Sequence, residues 1–128
     1  MQSVLAQSFA DFEVVAVDDA STDESARVIA ALGDPRIRVL RHETNRGPAA
    51  ARNTAMRAAL GDVFAFIDSD DEWMPAKLER QLARLQSGDC DLCGCEYWTV
   101  EKGTETRVHL PEPASWAEVL QKIGRAHV

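Results

Sequence analysis

Two short acidic runs hold the side chains best suited to chemistry, Asp18-Asp19 and, farther along, Asp68-Ser69-Asp70-Asp71. Carboxylates gathered within a few ångströms raise one another's pKa and destabilise the fold. A divalent cation resolves that conflict. A hard, oxygen-ligated ion such as Mg2+ or Mn2+ is the expected species, held by one or two carboxylates with phosphate and water filling the other positions. A second reading makes these acids helix caps and first-turn residues that satisfy amide groups and the helix dipole. It fits Ser21, Thr22 and Asp23 well. It fits the second run poorly, because three acids within four residues exceed what one cap requires and the next helix is marked only at Pro75.

Between the acidic runs, Asn45-Arg46-Gly47-Pro48-Ala49-Ala50-Ala51-Arg52-Asn53 reads as a Gly-containing loop entering a helix. Such a helix start presents free N–H groups, and Arg46 and Arg52 add charge-assisted hydrogen bonds to a phosphate or a base carbonyl. Pairing of both arginines with the neighbouring carboxylates is the alternative. Cys90, Cys93 and Cys95 crowd one segment. An odd count closes no disulfide framework, and no second Cys/His pair follows at zinc-finger spacing, so reduced thiols are expected.

The elements that must position these groups follow from periodicity. Val4, Leu5 and Phe9 are spaced as on a helix that no N-cap precedes. Phe12 to Val17 reads as a buried strand ending at Asp18-Asp19, and Ser21 with Glu24 forms a capping-box pattern for a helix that Gly33 and Pro35 stop. Ile37, Val39 and Leu40 mark a second strand, and an alanine-rich helix runs from about Ala49 to Leu60. The unbroken apolar run Val63 to Ile67 predicts a strand covered on both faces. Pro75 opens a helix whose buried face is Leu78, Leu82 and Leu85. A fourth strand is predicted over Leu92 to Val100, another over Thr106 to Leu110, and a short helix over Trp116 to Leu120. The final KIGRAHV, 122–128, reads as an adapter-derived tail and is left out of the fold reasoning. Alternation of strand and helix predicts an α/β fold with a mostly parallel sheet flanked by helices. Ligands of such sheets gather at the carboxyl ends of the strands.

Composition narrows the partners. At 128 residues the chain is one domain's worth at most, and 21 acidic against 14 basic side chains give a net charge of −7. With 45% apolar and 27% charged residues it is ordinary for a globular protein, and its acidity argues against a nucleic-acid or anionic-membrane surface. No apolar stretch is long enough to span a bilayer, and the expected location is cytoplasmic.

The runs QSVLAQSFADFEVVAVDDASTDES, NRGPAAARNTAM and GDVFAFIDSDDEWMPAKLERQL, in that order, resemble the nucleotide-sugar-binding half of family 2 glycosyltransferases, over residues 2 to about 100. The Asp-Ser-Asp-Asp run matches that family's D-x-D signature. The resemblance implies the GT-A, Rossmann-like sheet and transfer of a sugar from a nucleoside-diphosphate donor to a hydroxyl acceptor, a glycan or lipid-linked molecule, assisted by Mg2+ or Mn2+. It implies that Asp18 and Asp19 face the base, Asp19 above all, that Arg52 lies beside the nucleotide, and that Asp68 approaches the ribose. Asp70, with Asp71, would hold the metal on the diphosphate.

Two departures from the family pattern make the chain look like a partial domain spanning 1–121. The opening strand with its V-S-[VI]-I-[IV]-P-x-[YF]-N run has no match, and neither has the acceptor half with its general base. No catalytic base is therefore assigned. Glu112 and Glu118 lie in a weakly patterned region, and His42 and His109 are read as solvated or capping residues. The parent protein is expected to work in the cytoplasm, at the inner membrane face if it is attached at all. Two other readings compete: a haloacid-dehalogenase-type phosphotransferase, which Glu72 at the position after the acidic run does not suit, and a non-enzymatic receiver-like α/β module, which leaves the Asn45 loop unexplained.

Overall fold

The computed structural model describes residues 1–109, and the chain divides within one helix into two compact units, Met1–Ala83 and Arg84–Val128. The expected end of a strand at Leu110, the helix over Trp116 to Leu120, Glu112, Glu118 and the 122–128 tail lie outside the described residues.

In the first unit, helix α1 (Gln2–Leu5) precedes strand β1 (Val14–Asp18), helix α2 (Ser25–Ala30), strand β2 (Ile37–Arg41), helix α3 (Pro48–Ala58) and helix α4 (Lys77–Gln86), which runs on past the division. β1 and β2 pair in parallel, with Val14 opposite Ile37 and Asp18 opposite Arg41. The ladder continues one step past the strand ends, where the His42 amide donates to the Asp18 carbonyl at 2.9 Å. Parallel neighbours need a crossover, and α2 supplies it while packing on β2; α3 packs on β1. Gly33 closes α2 in the left-handed region (φ 65°), as its place after the last periodic residue predicts.

Three expectations are corrected. The helix expected to be capped by Ser21 and Glu24 begins only at Ser25, and the carboxylate of Asp23 takes the Ser25 amide at 2.9 Å. The reason is competition: the Asp18 carboxylate claims at 2.9 Å the Ser21 amide that a capping box would give to the Glu24 side chain. Val63 to Ile67 is not a strand; it pairs with no strand among the described residues, and Val63, Phe64 and Phe66 are about half exposed. An apolar run becomes a strand only when a neighbour supplies its ladder. Third, the segment expected to be a strand from Leu92 pairs only from Tyr97 onward.

That pairing is in the second unit, where β3 (Tyr97–Glu101) and β4 (Thr104–Val108) form an antiparallel hairpin rather than further strands of a parallel sheet. Lys102 and Gly103 both adopt positive φ, the two-residue turn whose twist matches paired strands, and such a turn admits only antiparallel neighbours.

Among the described residues Val4 is the one apolar side chain fully withdrawn from solvent, at 5% exposed. With so thin a core, polar clamps matter. Gln7, 7% exposed, donates from Nε2 to the carbonyls of Ser3 and Met74 at 3.0 and 2.9 Å and accepts the Leu78 amide on Oε1 at 3.0 Å. Ser3 Oγ accepts the Trp73 amide at 3.2 Å and the Ser8 amide donates to the Pro75 carbonyl at 2.8 Å. The N-terminal segment thus fastens the chain just after Asp68–Asp71 to α4. Gln7→Ala removes the partner of two carbonyls and of the Leu78 amide at once, so we expect a loss of about 1–3 kcal/mol, read by urea unfolding; a variant as stable as the parent would contradict the clamp.

Candidate functional site

β1 ends at Asp18, and Ala20 turns the chain in the left-handed region (φ 60°), a conformation that costs a residue with a Cβ about 1 kcal/mol. The turn aims Asp19 at the loop before α3. Its Oδ1 accepts the Arg46 amide at 2.9 Å, and its Oδ2 accepts the Gly47 amide at 2.7 Å and the Arg46 amide at 3.1 Å. Gly47 sits at φ 84°, ψ 163°, a region open essentially to glycine alone. Nothing lies within 4 Å of where a Cβ would sit, so the backbone conformation and not space demands glycine there.

Asp19 also takes a hydrogen bond from His42, Nδ1 to Oδ1 at 2.6 Å, and His42 Nε2 lies 2.9 Å from Thr54 Oγ1 on α3. An ionised carboxylate only accepts, so Nδ1 carries the proton on that side and the Thr54 hydroxyl can donate to Nε2. This hydrogen bond from His42, then the amides of Arg46 and Gly47, hold the Asp19 carboxyl below the usual carboxylate range. His42 is therefore no solvated or capping residue: it is 8% exposed and central. One signal in the sequence could have found it. Asp19 and His42 each stand one residue past the end of neighbouring parallel strands in register, so the pleat brings them side by side.

The helix start is less open than its sequence suggests, because Asp19 already occupies the amides of Arg46 and Gly47. Pro48 has no N–H and the Ala51 amide bonds to the Gly47 carbonyl, which leaves the amides of Ala49 and Ala50 facing outward. The two arginines separate. Arg52 pairs with Asp68, Nη2 to Oδ1 at 2.6 Å, both side chains about half exposed, whereas the Arg46 guanidinium makes no ion pair among the described residues.

Asp18 is buried. Ser21, through its hydroxyl and its amide, keeps the Asp18 carboxyl below its ordinary range; Oδ2 accepts no hydrogen bond and has only the Arg41 Nε charge beside it at 3.3 Å. Asp68 accepts the Asp71 amide on its carbonyl at 3.2 Å, turning the acidic run back on itself. Asp70 and Asp71 are exposed, and their carboxylates make no hydrogen bond or ion pair among the described residues. Among the described residues no group of three His, Cys, Asp or Glu side chains is placed to hold a metal ion, so any Mg2+ or Mn2+ at Asp70 and Asp71 would have to take its other oxygens from phosphate and water. None of the three cysteines forms a disulfide among the described residues; Cys95 is exposed and the other two are partly so. His109 in the second unit bonds Glu96 through Nδ1 at 2.7 Å.

One helix thus gathers both acidic tips. Asp19 holds the turn that begins α3, and Asp68 is held by Arg52 about one and a half helical turns farther on.

This arrangement coincides with a wider likeness. The family model described as glycosyl transferase family 2 matches residues 1–127. The chain is 41% identical over 125 residues to the UDP-Glc:alpha-D-GlcNAc-diphosphoundecaprenol beta-1,3-glucosyltransferase WfgD of Escherichia coli, covering 97% of this chain and 49% of that protein. It is 36% identical over 126 residues to the putative teichuronic acid biosynthesis glycosyltransferase TuaG of Bacillus subtilis, covering 94% and 50%, and 40% identical over 92 residues to the succinoglycan biosynthesis protein ExoO of Rhizobium meliloti, covering 72% and 26%. The chain spans half or less of these curated relatives' length. The phosphotransferase and receiver readings fall with this match. A parallel βαβ unit whose acidic tips converge on one helix, matched from end to end by a single family model, places the chain in glycosyl transferase family 2.

Proposed function

We propose that this chain forms the donor-binding part of a glycosyltransferase that moves a sugar from a nucleoside diphosphate to a hydroxyl of a glycan or lipid-linked acceptor. The observation that carries the reading is the convergence of Asp19 and Asp68 on the first half of α3. Asp18 and Asp19 flank the base, Asp19 chiefly through the turn it builds, since its oxygens already accept four close contacts. Arg52 and Asp68, paired with each other, border the ribose. The unpaired Arg46 guanidinium is free to take a phosphate oxygen.

Asp70 and Asp71 are the residues to hold Mg2+ or Mn2+. Such an ion, when bound, offsets the negative charge that grows on the departing diphosphate. The names of relatives that act on UDP-glucose, or that build succinoglycan and teichuronic acid, support a uridine nucleotide and a role in cell-envelope polysaccharide assembly. That role places the parent protein at the cytoplasmic face of the membrane; no helix among the described residues is long and apolar enough to cross one.

Calorimetry of this chain with UDP, with and without MnCl2, tests the reading. Binding that appears only with manganese is expected. No binding in either buffer, or the same affinity in excess EDTA, would count against it.

A further inference from the structure

His42 links three elements. It follows β2, donates to Asp19 beyond β1, and meets Thr54 on α3, and a buried imidazole destabilises a fold unless both nitrogens are paired, as they are here. Asp19 has staggered alternatives at χ1, and the setting it adopts presents both oxygens to the amides of Arg46 and Gly47. The His42 contact at Oδ1 fixes that setting, and the Thr54 contact fixes the imidazole.

Resting on the donor-binding function above, we propose that His42 is a positioning residue for the donor nucleotide: it locks Asp19 onto the Arg46 and Gly47 amides and ties that turn to α3 through Thr54. The turn carrying Arg46 is then ordered on folding instead of on binding, so the ordering entropy is not subtracted from affinity. Arg46, with its backbone fixed and its guanidinium unpaired, is the group that profits.

Two substitutions separate the halves of the imidazole. His42→Asn puts an amide nitrogen where Nδ1 was and keeps the Asp19 contact; His42→Gln reaches toward Thr54 and loses it. Affinity for UDP with manganese is measured by calorimetry, and amide hydrogen exchange at Arg46 and Gly47 by NMR. H42Q is expected to lose about tenfold in affinity, the size of effect seen when a residue supporting a ligand-binding group is replaced, and to exchange faster at both amides. H42N is expected to keep most of both. Equal losses in the two variants, or unchanged exchange at Arg46 and Gly47 in H42Q, would overturn the proposal. If H42Q does not fold, His42→Phe decides, since it keeps a ring in the same place and removes the donor to Asp19: faster exchange at the two amides supports the lock and unchanged exchange refutes it. A parent chain that holds no UDP would sink the donor-binding function, and the exchange rates alone then judge whether His42 positions the turn.

Discussion

Asp70→Asn is expected to remove manganese-dependent UDP binding while leaving the melting temperature where it was. The two halves of this expectation come from different observations. The Asp70 side chain is exposed and makes no hydrogen bond or ion pair among the described residues, so its loss breaks nothing that holds the fold. Yet a hard cation that keeps water and phosphate as its remaining ligands depends on each protein carboxylate it has, and Asp70 and Asp71 are the unengaged pair in the turn. A drop in affinity of at least about tenfold is the scale set by replacing even residues that merely support a metal ligand. Asp71→Asn is the companion; the Asp68 carboxylate, already paired with Arg52, is not free to substitute for either. Titration with manganese and UDP, beside a thermal melt, reads both halves. Unaltered manganese affinity in the Asp70 variant would remove the acidic run from the site.

Asp19→Ala is expected to act in the opposite way, lowering the melting temperature by a wide margin and UDP affinity with it. One truncation strands the Arg46 and Gly47 amides and the Nδ1 proton of a buried histidine. Asp19→Asn should be milder, because its amide keeps one acceptor oxygen and the imidazole can change tautomer to meet the new NH2 group.

The same site carries a pH signature. The Asp19 carboxyl lies below its ordinary value, first through His42 and then through the two amides; Asp18 is lowered too, and Asp34, held by the Arg36 side chain and amide, falls to about 2. A carboxylate with a depressed folded-state pKa binds protons more weakly folded than unfolded. Its stabilisation is therefore complete above the unfolded value of about 3.9 and is lost as pH falls through the folded value. Thermal melts should be nearly level from pH 7 to about 5 and fall steeply below about 4. Asp19→Ala should start lower and descend less, having one depressed carboxylate fewer. A parallel descent of variant and parent would show that Asp19 takes no part in the acid transition.

What could be read from the chain alone is what depends on neighbours in sequence. The stripes that make α2, α3 and α4, the Val-rich β1 ending in acids, and Gly47 before Pro48 are local patterns, set by backbone sterics and side-chain periodicity. The three motifs in order were enough to point to the family that residues 1–127 match.

Tertiary structure decided the rest, because pairing and burial are properties of two segments at once. Val63 to Ile67 has the composition of a central strand and is not one, since no ladder reaches it among the described residues. Ser21 gave its amide and its hydroxyl to the Asp18 carboxylate folded against it instead of capping α2, and Arg52 and Arg46, alike in the sequence, took different fates once Asp68 came within reach of one of them. His42 shows the division most plainly. A histidine one residue past a strand end means little until the strand beside it is known, and it becomes the centre of the site only when the parallel register sets it beside Asp19 and α3 closes over its other nitrogen.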